Sequence, residues 1–263
     1  MKSASRPGAP GCCLLAAAGA LLFALLPLPP TVTAALCYSC FYVLPVRRGL
    51  WGARCALPLW RQGCGGFVCL AALTALFGAP GLCLLTEKWC AWLARSGVSV
   101  SAAAAPRTPG AATALLLSAC AFPAFAEEYL LRGALLPAAA KRPIPAVAYT
   151  AAVFALLHGV GALPASLLAG AVLGFLALRC GCLLPAMAYH FCHNAAVLAL
   201  GCAAAQGAAL PPGVACAFLL PFCAGLFALQ RLRRAQSPLT GEASPALCFA
   251  LLCVLALRLV LLR

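Results

Sequence analysis

Apolar residues run along the chain in long blocks, at 11–28, 31–46, 64–86, 110–138, 143–160, 163–179, 182–203, 211–230 and 245–263, separated by short polar or proline-bearing connections. A helix needs roughly 20 predominantly apolar residues to cross the hydrocarbon core of a bilayer. The pattern therefore predicts an all-α fold, a polytopic transmembrane helical bundle of about eight spans. The first two blocks form either two spans or one hairpin broken at Pro27, Pro29 and Pro30. Residues 1–263 read as a single integral membrane domain, with no separate soluble part. Prolines at 143, 164, 185, 211 and 212 fall near block starts, where a missing N–H costs little.

Composition agrees with the pattern. The chain is 65% hydrophobic and only 8% charged, where soluble domains carry about 25% charged residues. Its formal net charge of +14 does not indicate nucleic acid as a partner, because the basic residues punctuate the apolar blocks and form no stripe. Charge placed this way sets orientation. With the N-terminus in the cytoplasm, the inside connections hold Lys2, Arg6, Arg47, Arg48, Arg54, Arg61, Lys141, Arg142, Arg179, Arg231, Arg233 and Arg234. The outside connections hold only Lys88, Arg95 and Arg107. Segment 87–109 reads as the longest outside loop, with Trp89 and Trp92 as interfacial anchors and Glu87 as a solvated charge. The 15 Arg against 3 Lys, with abundant Ala, Gly and Pro, fit a GC-rich genome and a bacterial cell membrane. Most of the 18 Cys lie within apolar blocks and read as small hydrophobes, including those of the C-x-x-C at Cys37 and Cys40.

The chemistry concentrates in two acids. The chain has four carboxylates, Glu87, Glu127, Glu128 and Glu242, and no Asp. Glu127 and Glu128 lie together inside the 110–138 block, where a charge costs several kcal/mol and marks a functional site by default. Glu128 and Arg132 are spaced i,i+4 and share a helix face. Glu127 is turned about 100° away, free of Arg132 and able to act as a base. If the helix folds back at Lys141-Arg142-Pro143, Glu127 and His158 come level, at about 21 and 22 Å from the turn. His190 and Asn194 share a face of the 182–203 block, and His193 flanks it as an interhelical hydrogen-bonding group. Three helices thus converge on one polar pocket. Gly170 and Gly174 form a G-x-x-x-G that favours close packing of a neighbouring helix, within the chain or in a homodimer.

The ordered set Glu127-Glu128-x-x-x-Arg132, Phe154-x-x-x-His158 and His190-x-x-x-Asn194 resembles the CPBP intramembrane glutamic proteases. That family includes the CAAX prenyl endopeptidases and bacterial abortive-infection-type homologues. The resemblance covers about residues 110–200, which it implies are the catalytic core. It implies hydrolysis of a peptide bond in a membrane-associated or lipophilic protein or peptide substrate, without a nucleophilic side chain and without a cofactor. Glu127 would activate water, His158 would help hold it, and His190 and Asn194 would donate to the oxyanion. Glu128 and Arg132 would support them.

Two other readings stay open. Glu and two His are plausible zinc ligands, so a zinc-dependent membrane protease is the first alternative, although no H-E-x-x-H occurs. A non-catalytic scaffold or immunity protein using the same pocket is the second. A transporter is disfavoured, because no inverted repeat or paired broken helices are visible.

Overall fold

The computed structural model describes residues 28–48, 55–100, 106, 108–139 and 141–231. The blocks at 11–27 and 245–263, and the charges Lys2, Arg6, Arg54, Arg107, Arg233, Arg234 and Glu242, lie outside the described residues. Within them the structure is all-helical and contains no strand. Seven helices follow one another. Helix α1 spans 30–48, α2 Gly65–Arg95, α3 Pro109–Ala139 and α4 Pro143–Leu157. Helix α5 spans Leu163–Cys180, α6 Leu184–Ala205 and α7 Pro212–Arg231.

By length and apolar composition, four helices among the described residues qualify to cross a membrane: α2, α3, α5 with its 3-10 lead-in (Val160–Cys180), and α7. The expected count of about eight is therefore not reached on that criterion. The shortfall has a physical cause at the site itself. Helix α6 has 22 residues, enough for the hydrocarbon core at about 1.5 Å each, but His190, His193 and Asn194 lower its hydropathy. Helix α4 has only 15 residues.

Prolines shape the helices that matter. Three stretches open into π-helix, Tyr38–Val43 in α1 and Leu116–Ala121 and Tyr129–Leu135 in α3. Each ends two residues before a proline, at Pro45, Pro123 and Pro137. A proline has no N–H, and its ring pushes away the carbonyl four residues back. Widening the turn is one way to accommodate this, and π-turns are common at functional sites. In α3 the two displaced carbonyls become docking points. Ala119, four before Pro123, accepts from Asn194 Nδ2 at 2.9 Å. Gly133, four before Pro137, accepts from the Ala56 N–H at 2.8 Å.

The second bond anchors a non-helical segment, 55–64, against the bundle. Pro58 and Leu59 carbonyls accept from the N–H groups of Leu183 and Leu184, both at 3.0 Å. Gly133 has to be glycine here, since a Cβ would lie 2.5 Å from Cys55 Sγ. Cys182 and Leu183, in the turn between α5 and α6, are completely buried beneath this segment. That turn is thus inside the protein.

Helix α2 packs most extensively on α6 and also contacts α5 and α7, while α4 and α5 form a close hairpin. Gly170 and Gly174 serve that hairpin, as a Cβ would come within 3.0 Å of the Ala151 backbone and 3.2 Å of Val147, respectively. Helix α2 runs through the Glu87-Lys88 pair to Arg95 and stops at Gly97, whose φ is +82°. The expected loop at 87–109 therefore begins only after Arg95. Two charged residues do not break a helix whose next residues are Trp, Cys, Ala and Leu, all tolerated in helices. Trp89 and Trp92 stack at 4.8 Å, and Trp89 Nε1 donates to the Val160 carbonyl at 2.7 Å. This bond places the end of α2 beside the α4–α5 connection. At the opposite end, Arg179 donates to the Gln230 carbonyl.

Candidate active site

The Glu pair sits in the short α-helical stretch Phe122–Glu128, between the two π-turns of α3. Both carboxylates are buried, Glu127 at 2% and Glu128 at 0% exposure, as is Arg132 at 0%. The two acids point apart, as their spacing requires. Glu128 Oε1 accepts from Arg132 Nη1 at 3.0 Å and from His190 Nδ1 at 2.9 Å. Arg132 Nη2 donates to the Gly170 carbonyl at 3.0 Å, and its guanidinium lies 4.7 Å from the Phe154 ring centre. Arg132 therefore joins α3, α4 and α5, and it is held in three directions. In a low-dielectric interior such a charge is tolerable only because it is paired and hydrogen-bonded.

Glu127 takes no part in that network. Its Oε1 accepts from Tyr38 Oη at 3.3 Å, and its Oε2 lies 4.0 Å from His158 Nε2. His158 caps the C-terminus of α4, and its Nδ1 lies 2.8 Å from the Phe154 carbonyl. A carbonyl only accepts, so Nδ1 carries a proton, and Nε2 faces Glu127. His190 also turns Nδ1 towards an acceptor. Its Nδ1–H points at Glu128, and its buried Nε2 makes no hydrogen bond within the protein. The rings of His158 and His190 flank Phe154, at 4.2 and 5.4 Å.

Glu127, His158 and His190 thus meet from α3, α4 and α6, with one ligand-type atom of each within 4.8 Å of the others. Among the described residues no other His, Cys, Asp or Glu group converges in this way. Cys37 and Cys40 are free thiols. Asn194 lies one helical turn beyond His190 and lines the same cavity, but its Nδ2 is already bonded to Ala119. His193 also lines it, with its ring stacked on Tyr189 and its buried Nδ1 unbonded within the protein. The cavity has a volume of about 430 Å³ and is bounded by His158, His190, His193 and Asn194 at its inner end. Glu87, expected to be a solvated loop charge, is exposed but lines the far end of this cavity.

Tyr38 was not visible as a site residue in the sequence. It stands inside the C-x-x-C of Cys37 and Cys40, which says nothing of a partner for the tyrosine, and only the fold brings α1 against α3. The one available signal was Pro45, which opens the turn that holds it.

Residues 109–196 of 263 match the family described as Rce1-like: Type II CAAX prenyl endopeptidase Rce1-like. No curated protein and no solved structure matches the chain. The matched segment begins with α3 and ends two residues after Asn194, so it contains all three motifs and every pair of site contacts except that of Tyr38. This match, over a third of the chain, supports the resemblance to the CPBP membrane-embedded proteases that the three motifs carry.

Proposed function

We propose that the chain is an intramembrane endopeptidase that hydrolyses a peptide bond of a membrane-associated or lipophilic substrate, using water activated by Glu127. The observation that carries this reading is the separation of the two carboxylates. Glu128 is tied through Oε1 to Arg132 and His190, whereas Glu127 keeps Oε2 facing His158 Nε2 across 4.0 Å. That gap is too long for a direct hydrogen bond and close to what one bridging water spans, about 4.4 Å with 2.8 Å legs. Glu127 removes a proton from this water as it attacks the substrate carbonyl, and His158 Nε2 accepts the second hydrogen and fixes the water's direction. The proton then passes to the leaving amine. His190, protonated on both nitrogens and compensated by Glu128, donates from Nε2 to the oxyanion. Asn194 contributes its second amide hydrogen. In this reading the end carrying Arg47, Arg48, Arg61, Lys141 and Arg142 is cytoplasmic, and the chain resides in a bacterial cell membrane.

A second reading has its own support. Glu127, His158 and His190 offer three ligand atoms within 4.8 Å, and both imidazoles turn Nδ1 towards an acceptor, the arrangement that orients zinc-bound histidines. A glutamate and two histidines fit a catalytic zinc site with an open fourth position, where the metal would supply Lewis-acid polarisation of the bound water. The two readings separate on dialysis against a chelator. The glutamate mechanism keeps full activity in metal-free buffer. Loss of activity restored by zinc assigns the site to the metal.

A further inference from the structure

The cavity continues beyond the polar cluster, between α2 and α6, to Glu87 and Ala209. Its walls there are apolar or small, including Leu84, Ala162, Val197 and Ala204. Among the described residues lining it there is no Lys or Arg, and Glu87 is its one acid. This is unexpected for a chain with 18 basic and four acidic residues, two of which form the Glu pair. Glu87 shares this cavity with His158 and His190. It lies one helical turn before Cys90, whose thiol donates to the Gly161 carbonyl at 3.4 Å, and Gly161 is three residues past His158. An extended peptide advances about 3.3 Å per residue, so a peptide with one bond held at His158 and lying along the cavity brings a residue some positions away alongside Glu87.

We infer that Glu87 is a specificity residue, and that the cavity takes an apolar peptide segment carrying a cationic group a few residues from the cleaved bond. A Lys or Arg side chain, or a free α-ammonium, meets a carboxylate in a groove with low-dielectric walls. A C-terminal carboxylate in the same place meets repulsion. This rests on the protease reading for the word cleaved, but the binding preference needs no turnover.

The test uses the full chain, purified in detergent as Glu127→Gln so that bound peptide persists. The probes are short fluorescent Leu/Ala peptides, acetylated and amidated, identical except for one Lys or one Glu, with a non-acetylated Leu/Ala peptide as the α-ammonium arm. The Lys probe is expected to bind about tenfold more tightly than the Glu probe at low salt, and the difference narrows at high salt. Adding Glu87→Gln removes the preference, and Glu87→Lys reverses it. Glu87 is exposed, so neither change threatens folding. Tight binding of the non-acetylated probe alone assigns the site to a peptide amino terminus, and of the Lys probe alone to a basic side chain. Equal binding of all probes, or a preference that survives Glu87→Gln, overturns the inference. Those outcomes leave the protease reading intact, since that reading is decided separately by Glu127-dependent cleavage.

Discussion

His190 is held by Glu128 and not by Glu127, with Nδ1 at 2.9 Å from Glu128 Oε1, the same oxygen that Arg132 occupies at 3.0 Å. Two adjacent acids have therefore been given different work. Replacing Glu128 by Ala leaves the buried Arg132 without its anion, at an expected cost of about 3–5 kcal/mol. Replacing Glu127 by Gln leaves Tyr38 an acceptor and costs little stability. Thermal unfolding of the two variants in one detergent should show a large fall for Glu128→Ala and nearly none for Glu127→Gln, while both lose cleavage.

Asn194 and Pro123 form a linked pair through the Ala119 carbonyl. Asn194→Ala removes both the tie from α6 to α3 and the proposed oxyanion donor, and kcat should fall by roughly 10²–10³. Pro123→Ala returns an N–H to Ala119 and competes for that carbonyl. It should lower kcat as well, though Asn194 itself is unchanged. Unaltered turnover in Pro123→Ala would show that the displaced carbonyl is irrelevant to the site.

Tyr38 acts on Glu127 from outside the segment that matches the family. Tyr38→Phe removes one hydrogen bond to a carboxylate and should lower kcat by about tenfold, with KM little changed. An effect confined to KM would instead place Tyr38 on the substrate.

Gly170 carries two loads, the close approach of α4 and the carbonyl that receives Arg132. Gly170→Ala forces a Cβ to 3.0 Å from the Ala151 backbone and 3.2 Å from Phe154. Backbone cannot yield as a side-chain tip does, so the variant should lose about 1–3 kcal/mol and displace Phe154 together with both histidines that flank it. A wild-type unfolding temperature would contradict this packing.

The helices and the meeting of Glu127 with His158 were legible because they rest on block length and on residue counts from one turn, both local quantities. The pairing of Glu128 with Arg132 follows from i,i+4 spacing and survives the π-turn that begins at Tyr129. The G-x-x-x-G packing was legible for the same reason. What escaped depended on contacts between distant segments. Residues 55–64 have no periodicity, yet they cover the buried turn at Cys182 and Leu183. Glu87 is exposed, as expected, but it lies on a helix and not in a loop, because the helix continues past the Glu-Lys pair and delivers it to the cavity. The prolines at 123 and 137 stand inside an apolar block, but the donors that Ala119 and Gly133 would find were set only by neighbouring segments.

The central claim is that Glu127 activates water for peptide-bond hydrolysis. Its most direct test compares protein N-termini in membranes of cells carrying the wild-type chain with those carrying Glu127→Gln at equal abundance. The account predicts a set of new termini within or beside apolar segments that appears with the wild type and disappears with the variant. Identical termini in both, with the cellular phenotype retained by Glu127→Gln, would contradict it and leave a binding role for the same pocket.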